Sequence, residues 1–388
     1  MLVAGIFWLD MERETFGQTR VVAWGAGITV AKPPDYNNYG QSIVPANLTN
    51  AVFVAAGWRH SLAVRNDGTL QGWGDDSLGQ TDFPPGTNYL TVACGQLHSV
   101  ALQGNGGVAA TGDNFYGQTT LPAGLTNVVS LACGFFHSLA LKSDGTVVAW
   151  GASANTRPVG SNPNYGQTLV PAGLSNVVAI AAGGYHSVAL KADGTLIGWG
   201  DFTEVPQGPS NLTAIAMGAQ GDVAITSAKT VLAWGGNTYG QTNVPAGLSN
   251  VVAIAAGGWH NLALETNGIV IAWGAGSGSN PNVDCGQNQV PAGLSNVIQV
   301  AAGQVNSLAL VGNGPPITQL MPTQPAFGIN GFSIQLATRL GWVYQLQFKN
   351  SLAESSWQFM PLYAGTGGII SLTDDEVATR RFYRVAQW

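Results

Sequence analysis

The chain has 388 residues, of which 53 are glycine and only 9% are charged, and its net charge is −6. With 45% hydrophobic residues, this composition is typical of many short strands joined by tight turns, and not of a disordered chain. The acidic charge argues against a nucleic-acid partner, because affinity for nucleic acid depends largely on Lys and Arg.

The first 20 residues form a lead segment that begins "MLVAGIFWLDMERET". It has an apolar stretch, but neither a basic region before it nor a small-residue cleavage site, so it is a poor signal peptide. No later apolar run reaches the roughly 18–20 residues that a membrane span needs. The protein is therefore either cytoplasmic or exported, and in the second case this sequence begins downstream of the export signal.

Residues 21–313 contain an internal repeat, in which the phrase "HSLAL-x-x-DGT-VVAWG" recurs. Its spacing of roughly 35–50 residues is typical of propeller blades. A Trp-Gly slot occurs seven times, at Trp24, Trp73, Thr111 (a substitution), Trp150, Trp199, Trp234 and Trp273. An Ala-Gly-x-x-His slot also occurs seven times, at His60, His98, His137, His186, Gly221, His260 and Asn306.

Each repeat predicts four antiparallel strands. In one copy, "NVVAIAA" (176–182) and "HSVAL" (186–190) are the first two, and Asp193-Gly194 predicts a type I′ hairpin turn before "TLIGWG". The segment "GQTxVP" is expected to be a fourth, outermost strand that ends at a proline, as edge strands tolerate. Seven such units predict an all-β fold, a seven-bladed β-propeller.

The two ends of the repeat region complement each other. The first unit has "VVAWG" (21–25) without a preceding "HSLAL", and the last has "NSLAL" (306–310) without a following "VVAWG". We therefore expect the N-terminal strand to complete the last blade, which leaves no long strand edge exposed.

Residues 314–325, "PPITQLMPTQP" and its neighbours, predict a linker, and residues 326–388 predict a small β-sandwich-like domain. The segment "WVYQLQF" alternates as a half-buried strand does. Further strands are expected at "FSIQLAT", "WQFMPL", "GIISLT" and "RRFYRV". The domain is either a structural or attachment module, or a ligand-binding one.

Antiparallel pairing places the Ala-Gly-x-x loops and the Trp-Gly…Gly-Gln loops on one face, and the Asp-Gly hairpins on the other. The first face carries the variable residues, and aromatic and Arg side chains are common anchors of protein interfaces. Two of its extended loops carry Tyr36, Tyr39, Arg157 and Tyr165. Some of these aromatic residues could instead only fill the mouth of the tunnel. The predicted partner-binding residues are Trp58, Arg59, Asp75, Asp76, Phe115, Tyr116, Phe135, Phe136, Tyr185, Tyr239 and Trp259.

The sequence offers no constellation of catalytic residues, and we expect no enzyme activity, cofactor or metal site. All five histidines occupy one repeat slot, which predicts a strand histidine hydrogen-bonded within its blade. Cys94 and Cys133 share another slot and are expected to be small buried residues. Asp75 and Asp76 are adjacent in the chain, and neighbouring carboxylates rarely converge on one substrate.

The phrases "HSLALKSDGTVVAWG" (137–151) and "YGQTNVPAGLSNVVAIAAGGWH" (239–260) resemble the regulator-of-chromosome-condensation repeat family of seven-bladed propellers. That family includes a guanine-nucleotide exchange factor, a plant UV-B photoreceptor and a secreted bacterial β-lactamase inhibitor. The repeats look most like the inhibitor. The resemblance implies partner contacts through Trp58, Phe135, Phe136, Tyr185 and Trp259, with Asp75 and Asp76.

These observations predict a non-catalytic, monomeric, protein-binding propeller that uses one loop-rich face, with a β-lactamase as one partner class. Such a protein is expected to be bacterial and extracellular, periplasmic or at the cell surface. One alternative is a carbohydrate- or surface-attachment protein that acts through residues 326–388. Another is a regulator of the exchange-factor type.

Overall fold

The computed structural model describes residues 19–27, 38–86, 88–104, 106–152, 163–201, 205–206, 211–276 and 283–312, and six strands between residues 326 and 387. Every regular element in this part of the chain is a β-strand. No helix in the described ranges is long and apolar enough to cross a membrane. The strands fall into two compact units, β1–β21 and β22–β27, as bounded below.

The first unit consists of seven antiparallel sheets of three strands each. In chain order its strands are β1 (Arg20–Gly25), β2 (Ala51–Ala56), β3 (His60–Arg65), β4 (Leu70–Gly74), β5 (Tyr89–Cys94), β6 (His98–Gln103), β7 (Val108–Gly112), β8 (Val128–Cys133), β9 (His137–Lys142), β10 (Val147–Gly151), β11 (Val177–Ala182), β12 (His186–Lys191), β13 (Leu196–Gly200), β14 (Leu212–Met217), β15 (Gly221–Thr226), β16 (Val231–Gly235), β17 (Val251–Ala256), β18 (His260–Glu265), β19 (Val270–Gly274), β20 (Val297–Ala302) and β21 (Asn306–Val311). We number the blades so that β2–β4 form blade 1, each following triplet forms the next, and β20, β21 and β1 form blade 7. The prediction of a seven-bladed all-β propeller is confirmed.

The N-terminal strand closes the ring. β1 pairs antiparallel with β21, with Gly25 opposite Asn306 and Arg20 opposite Val311. This confirms the predicted closure, since the last blade takes its outer strand from the start of the repeat region.

The predicted fourth strand is wrong, because each sheet has three strands and the described Gly-Gln segments form turns. The glutamine side chain folds back on its own loop: Gln41 Oε1 accepts a hydrogen bond from Tyr39 N at 2.9 Å. The glutamine main-chain oxygen is taken by side chains of the next blade, and the proline that follows has no N–H to donate. The segment therefore lacks the backbone groups that a strand ladder needs.

The hairpin turns also differ from the predicted type I′. In blade 1, Gly68 N donates to Arg65 O at 2.9 Å, and Gly68 has a φ of 80° while Asp67 is not in the positive-φ region. A type I′ turn needs positive φ at both central residues. The loop is instead a three-residue one, in which a type I turn is followed by a left-handed glycine.

The hydrophobic core lies between neighbouring blades. The middle strands are buried along most of their length, as in the "HSLAV" of β3 and the "HSLAL" of β9. One cluster joins Val54 and Trp73 of blade 1 to Ile298 and Leu308 of blade 7. Because every blade is buried on both sides, the sheets stabilise one another around the ring.

The second unit contains two antiparallel sheets of three strands. Their strands are β22 (Ala326–Gly328), β23 (Gly331–Ala337) and β26 (Ile369–Asp374) in one sheet, and β24 (Val343–Lys349), β25 (Gln358–Ala364) and β27 (Phe382–Gln387) in the other. The five strands expected from the sequence are all present. The sandwich arrangement stays a prediction. The linker at 314–325 and most of the lead segment lie outside the described residues.

Candidate functional site

Both sets of variable loops emerge on one face of the propeller. In every blade, the residue after the Trp-Gly slot donates its backbone N–H to the carbonyl of the residue before the His slot; in blade 1, Asp75 N lies 2.8 Å from Arg59 O. The same bond joins Ala152 to Phe136 and Ala275 to Trp259. We call this the loop face, and the side with the Asp-Gly hairpins the hairpin face. The predicted placement of the loops is confirmed.

An axial funnel opens on the loop face, and each blade contributes one residue to each of its three layers. The outer layer is Trp58, Gln96, Phe135, Gly184, Ala219, Gly258 and Gln304. The middle layer is Gly57, Gly95, Gly134, Gly183, Gly218, Gly257 and Gly303. The inner layer is Ala56, Cys94, Cys133, Ala182, Met217, Ala256 and Ala302.

The middle layer is glycine in all seven blades because neighbouring blades approach closely there. A Cβ on Gly57 would come within 2.7 Å of Gly95 O in blade 2 and 2.5 Å of its own blade's His60 ring. The remaining glycines of the layer meet the next blade in the same way, and Gly303 of blade 7 meets Gly57 O. Backbone bonds also run around the ring, such as Gln304 N to Gly57 O at 3.3 Å. The funnel is therefore a rigid platform.

The histidine of each slot bridges two blades. His60 Nε2 lies 2.8 Å from Ser99 Oγ in blade 2, and His260 Nε2 lies 2.8 Å from Ser307 Oγ in blade 7. In blade 4 the partner is a carboxylate, since His186 Nε2 lies 3.0 Å from Asp222 Oδ1. The prediction of a hydrogen bond within the blade is wrong: the neighbouring blade supplies the partner.

Burial keeps four of the slot histidines neutral, those at positions 60, 98, 137 and 260. Desolvation lowers the pKa of His60 to about 4 and that of His98, His137 and His260 to about 3. The histidines therefore hold the ring together, and none of them lies on the loop face as a catalytic group.

The Trp-Gly slot is held by the preceding Gly-Gln loop. Trp150 Nε1 and Ser138 Oγ of blade 3 both donate to Gln118 O, at 2.9 and 3.2 Å. Thr111, which replaces the tryptophan in blade 2, donates to Gly79 O at 2.6 Å instead. Blade 5 follows a loop without Gly-Gln, and there the Nε1 of Trp234 is buried without a partner among the described residues.

The aromatic residues of blades 1, 3 and 4 form one connected cluster at the funnel mouth. The rings of Trp58 and Phe135 stack at 5.8 Å with an interplanar angle of 18°. Phe135 and Phe136 each contact Tyr185, at 5.5 and 6.0 Å. We call the whole set the aromatic cluster: Trp58, Phe115, Tyr116, Phe135, Phe136, Tyr165 and Tyr185.

The aromatic cluster is partly open to solvent. Phe115 is 80% exposed at its tip and packs edge-on against Tyr116 at 4.8 Å. The other six rings are partly exposed. Burial against the neighbouring rings raises the pKa of Tyr185. Of the aromatic cluster, Trp58 and Phe135 line the funnel, and Phe115 is the most exposed ring.

Two further predicted contacts lie around the cluster. Tyr239 and Trp259 form a separate edge-on pair at 6.1 Å. The Arg59 guanidinium lies over the Tyr39 ring at 4.5 Å and the Trp58 ring at 5.1 Å. The loop residues Tyr36 and Arg157 lie outside the described residues.

The two adjacent carboxylates stabilise their own loop by accepting hydrogen bonds from its backbone. Asp75 is 8% exposed, and its Oδ1 accepts a hydrogen bond from Ser77 N at 3.1 Å. Asp76 is exposed, and its Oδ1 accepts from Thr81 N at 2.8 Å. Of the two carboxylates, Asp75 is therefore buried and only Asp76 is accessible on the surface.

Cys94 and Cys133 face the inner layer of the funnel as thiols without a disulfide. Burial raises the pKa of both thiols, that of Cys133 to about 12. At neutral pH they therefore remain protonated. The described residues contain no group of three or more His, Cys, Asp or Glu side chains placed to hold a metal ion.

Sequence reasoning did not single out Gln96 and Gln304, which line the funnel mouth with side chains 9% and 8% exposed. The available signal was their repeat position, one residue after the invariant glycine. They were overlooked because a glutamine there reads as ordinary surface variation.

Four segments match the family model described as regulator of chromosome condensation (RCC1) repeat, at residues 51–80, 128–157, 177–204 and 251–287. No curated protein matches the chain.

Several solved structures share the fold. Prp20p from Saccharomyces cerevisiae, described with its binding properties to Gsp1p and histones, is 19% identical with a TM-score of 0.58, over 76% of this chain and 92% of that one. A structure of Kap60 bound to yeast RCC1 (Prp20) is 20% identical with a TM-score of 0.57, over 78% of this chain and 90% of that one. Human WBSCR16 is 21% identical with a TM-score of 0.55, over 76% of this chain and 98% of that one.

Proposed function

Since the chain is a β-propeller of the regulator of chromosome condensation (RCC1) repeat family, we propose that it is a non-catalytic binding protein whose loop face engages another protein. The single observation that carries the proposal is the aromatic cluster. It lies on one face of a scaffold that is otherwise nearly the same in every blade.

The composition and position of the cluster favour a protein partner. Aromatic and Arg side chains carry much of the binding energy at protein interfaces, since they bury a large area with few rotatable bonds. Phe115 is 80% exposed, an arrangement that costs hydrophobic free energy until a partner covers the ring. Loops held on a rigid scaffold commonly carry binding function.

The footprint is off-centre. The aromatic cluster occupies blades 1, 3 and 4 together with the loops that precede blades 3 and 4, whereas blade 5 presents Ala219 and Gln220 at the equivalent positions. We therefore expect the partner to cover the side of the face around blades 1–4, with Tyr239 and Trp259 at its edge.

The comparisons support a protein partner as a class. The names of the structural neighbours state that Prp20p binds Gsp1p and histones and that Kap60 binds yeast RCC1 (Prp20). We propose that this chain likewise binds a protein, as an exported bacterial monomer. A β-lactamase is the partner class that the repeat phrases favour.

The proposal is tested by affinity capture from the cells that make the protein and from their medium. Wild type, Phe115→Ala and the double variant Phe136→Ala/Trp259→Ala serve as baits. Loss of one anchor typically costs about 2–4 kcal/mol, so each variant should weaken the captured complex roughly 30-fold or more. Phe115→Ala is the cleaner variant, because a ring that is 80% exposed contributes little to folding.

Ile269→Ala is the matched control, since Ile269 is 44% exposed and precedes β19 on the hairpin face. It should leave capture unchanged. Equal capture by the aromatic variants and wild type would overturn the proposal. Capture by residues 320–388 alone would favour an attachment role instead.

The partner class has its own test. Added protein should slow the hydrolysis of a chromogenic β-lactam by a β-lactamase, and the double variant should not. Faster nucleotide release from a small GTPase in the same series would point to a regulator of the exchange-factor type.

A further inference from the structure

Two buried acceptors at the funnel mouth have no donor. The Oε1 atoms of Gln96 and Gln304 are buried without a hydrogen-bond partner in the described part of the chain, and the side chains are only 9% and 8% exposed. A buried acceptor left unpaired costs about 1–3 kcal/mol. Gln96 and Gln304 both line the same opening, where an incoming donor could pair with them.

The surroundings favour a cation. Gln96 lies in blade 2, and the stacked rings of Trp58 and Phe135 come from the blades on either side of it. Gln304 lies in blade 7, on the other side of Trp58, and its side chain lies against Gly258 in the lining of the same cavity. The cavity has a volume of about 70 Å³, so it admits the end of one side chain but no folded segment. The cavity lining therefore includes two glutamine side chains and the rings of Trp58 and Phe135, whose faces attract positive charge.

The charge of the loop face points the same way. Of the described residues there, Arg59 is the one cation, and it is already stacked on Tyr39 and Trp58. The loops after the Trp-Gly slots carry carboxylates, at Asp75, Asp76, Asp113, Asp201 and Asp284. The described lysines that form ion pairs, Lys142 and Lys191, are on the hairpin face. The loop face thus has a negative field that draws cations toward the funnel.

We propose that the funnel binds a primary ammonium group, a lysine side chain that the protein partner inserts at the axis. This rests on the proposed function and names the chemistry of the partner's contact. An ammonium has three donors and no acceptor, so it satisfies both glutamine oxygens and stacks under the aromatic rings. An anion would bring only further acceptors to the two unpaired glutamine oxygens. A guanidinium prefers a paired carboxylate, which this cavity does not offer.

The test uses the full chain, labelled with ¹⁵N at glycine and glutamine, and two small probes. N-acetyl-lysine methylamide should shift the backbone amides of Gly57, Gly95 and Gly303 and the side-chain amides of Gln96 and Gln304, with saturation. N-acetyl-norleucine methylamide, of similar shape without the charge, should not shift them.

The double variant Gln96→Met/Gln304→Met keeps the length of both side chains and removes the oxygens. It should reduce the response to the lysine probe at least tenfold and unfold at the same or a higher temperature, because two unpaired acceptors are removed. Gln220→Met is the matched control, since Gln220 is exposed on the loop face of blade 5 outside the funnel. It should respond like wild type.

Three results would overturn the site: no shift at the glycine layer, an equal shift with norleucine, or an undiminished response in the double variant. Failure here is distinguishable from failure of the proposed function. If the lysine probe has no effect while Phe115→Ala still abolishes capture, only the proposal of the amine site is refuted. If the probe binds but the aromatic variants capture as well as wild type, the proposed protein-binding face is refuted and the amine site is retained.

Discussion

Single residues at equivalent repeat positions have different partners, and this difference predicts different energies. The tryptophan of the Trp-Gly slot donates to a glutamine carbonyl in most blades, as Trp150 does to Gln118, but Trp234 has no acceptor among the described residues. The ring is buried in the first case and only partly buried in the second. The chain therefore contains its own control for the value of this hydrogen bond.

Replacement of Trp150 by Phe should lower the free energy of unfolding by about 1–2 kcal/mol, the usual value of one buried hydrogen bond together with a small cavity. Trp234→Phe loses no hydrogen bond to any described residue, and it should change the free energy of unfolding by less than half as much. Urea unfolding of both variants provides the measurement. Equal losses would show that ring packing, and not the bond to Gln118, is what matters.

The buried histidines predict a loss of stability in mild acid. The folded pKa values of His60, His98, His137 and His260, about 3–4, lie below the unfolded value of 6.5, so the unfolded chain takes up protons first as pH falls. The contribution is constant above pH 6.5 and decreases below it, by about 2 kcal/mol per histidine at pH 5. Urea unfolding at pH 7.5, 6.5 and 5.0 should show a progressive decrease.

His98→Asn is the variant to compare, because the chain itself carries asparagine in this slot at Asn306. It should unfold more easily at pH 7.5. Its free energy of unfolding should decrease less steeply as the pH falls, because unfolding takes up one proton fewer per molecule. An unchanged pH slope would mean that His98 does not remain neutral in the folded state.

At the scale of the element, each blade depends on the turn between its inner and middle strands. The glycine at the start of this turn is enclosed by the next blade and by its own histidine, so that no side chain fits. This geometry explains why the residue that follows the glycine can differ from blade to blade. The turn itself is held by invariant contacts, and the next side chain projects into the funnel mouth.

Gly57→Ala should lower the free energy of unfolding by about 3 kcal/mol or more, since its methyl group would lie 2.7 Å from Gly95 O and overpacking of this kind is costly. Gly86→Ala is the control, because Gly86 is exposed and its nearest atom would be 4.0 Å away. Thermal unfolding measures both. A tolerated Gly57→Ala would imply that the blades can move apart at the axis.

At the scale of the whole molecule, stability depends on closure of the ring. Without β1, blade 7 would expose the edge of β21, which now pairs with β1 from Gly25–Asn306 to Arg20–Val311. An unpaired edge invites association with other strands. The pairing of β1 with β21 therefore joins the start of the repeat region to its end and closes the ring.

Removal of residues 1–25 should lower the unfolding midpoint strongly and produce oligomers, because β21 and the cluster around Trp24 lose their cover. Removal of residues 1–15, which leaves β1 in place, should not. Size-exclusion chromatography and urea unfolding provide the comparison. A monomeric and stable protein without residues 1–25 would contradict closure through β1.

The sequence by itself determined the number of blades, the closing strand and the shared face of the variable loops. These follow from counting repeats and from antiparallel pairing, which are local properties of the chain. It misjudged the fourth strand, where the Gln41 side chain takes a backbone hydrogen bond, and the hairpin turn, where of Asp67 and Gly68 only the glycine has a positive φ.

Only the tertiary structure decided which residues meet across blades. It placed Ser99 against His60, stacked Trp58 on Phe135 past blade 2, and left the oxygens of Gln96 and Gln304 without donors at the axis. Such contacts depend on how closely seven backbones approach around one axis. A repeat pattern specifies each blade, but the distance between blades results from the packing of all of them together.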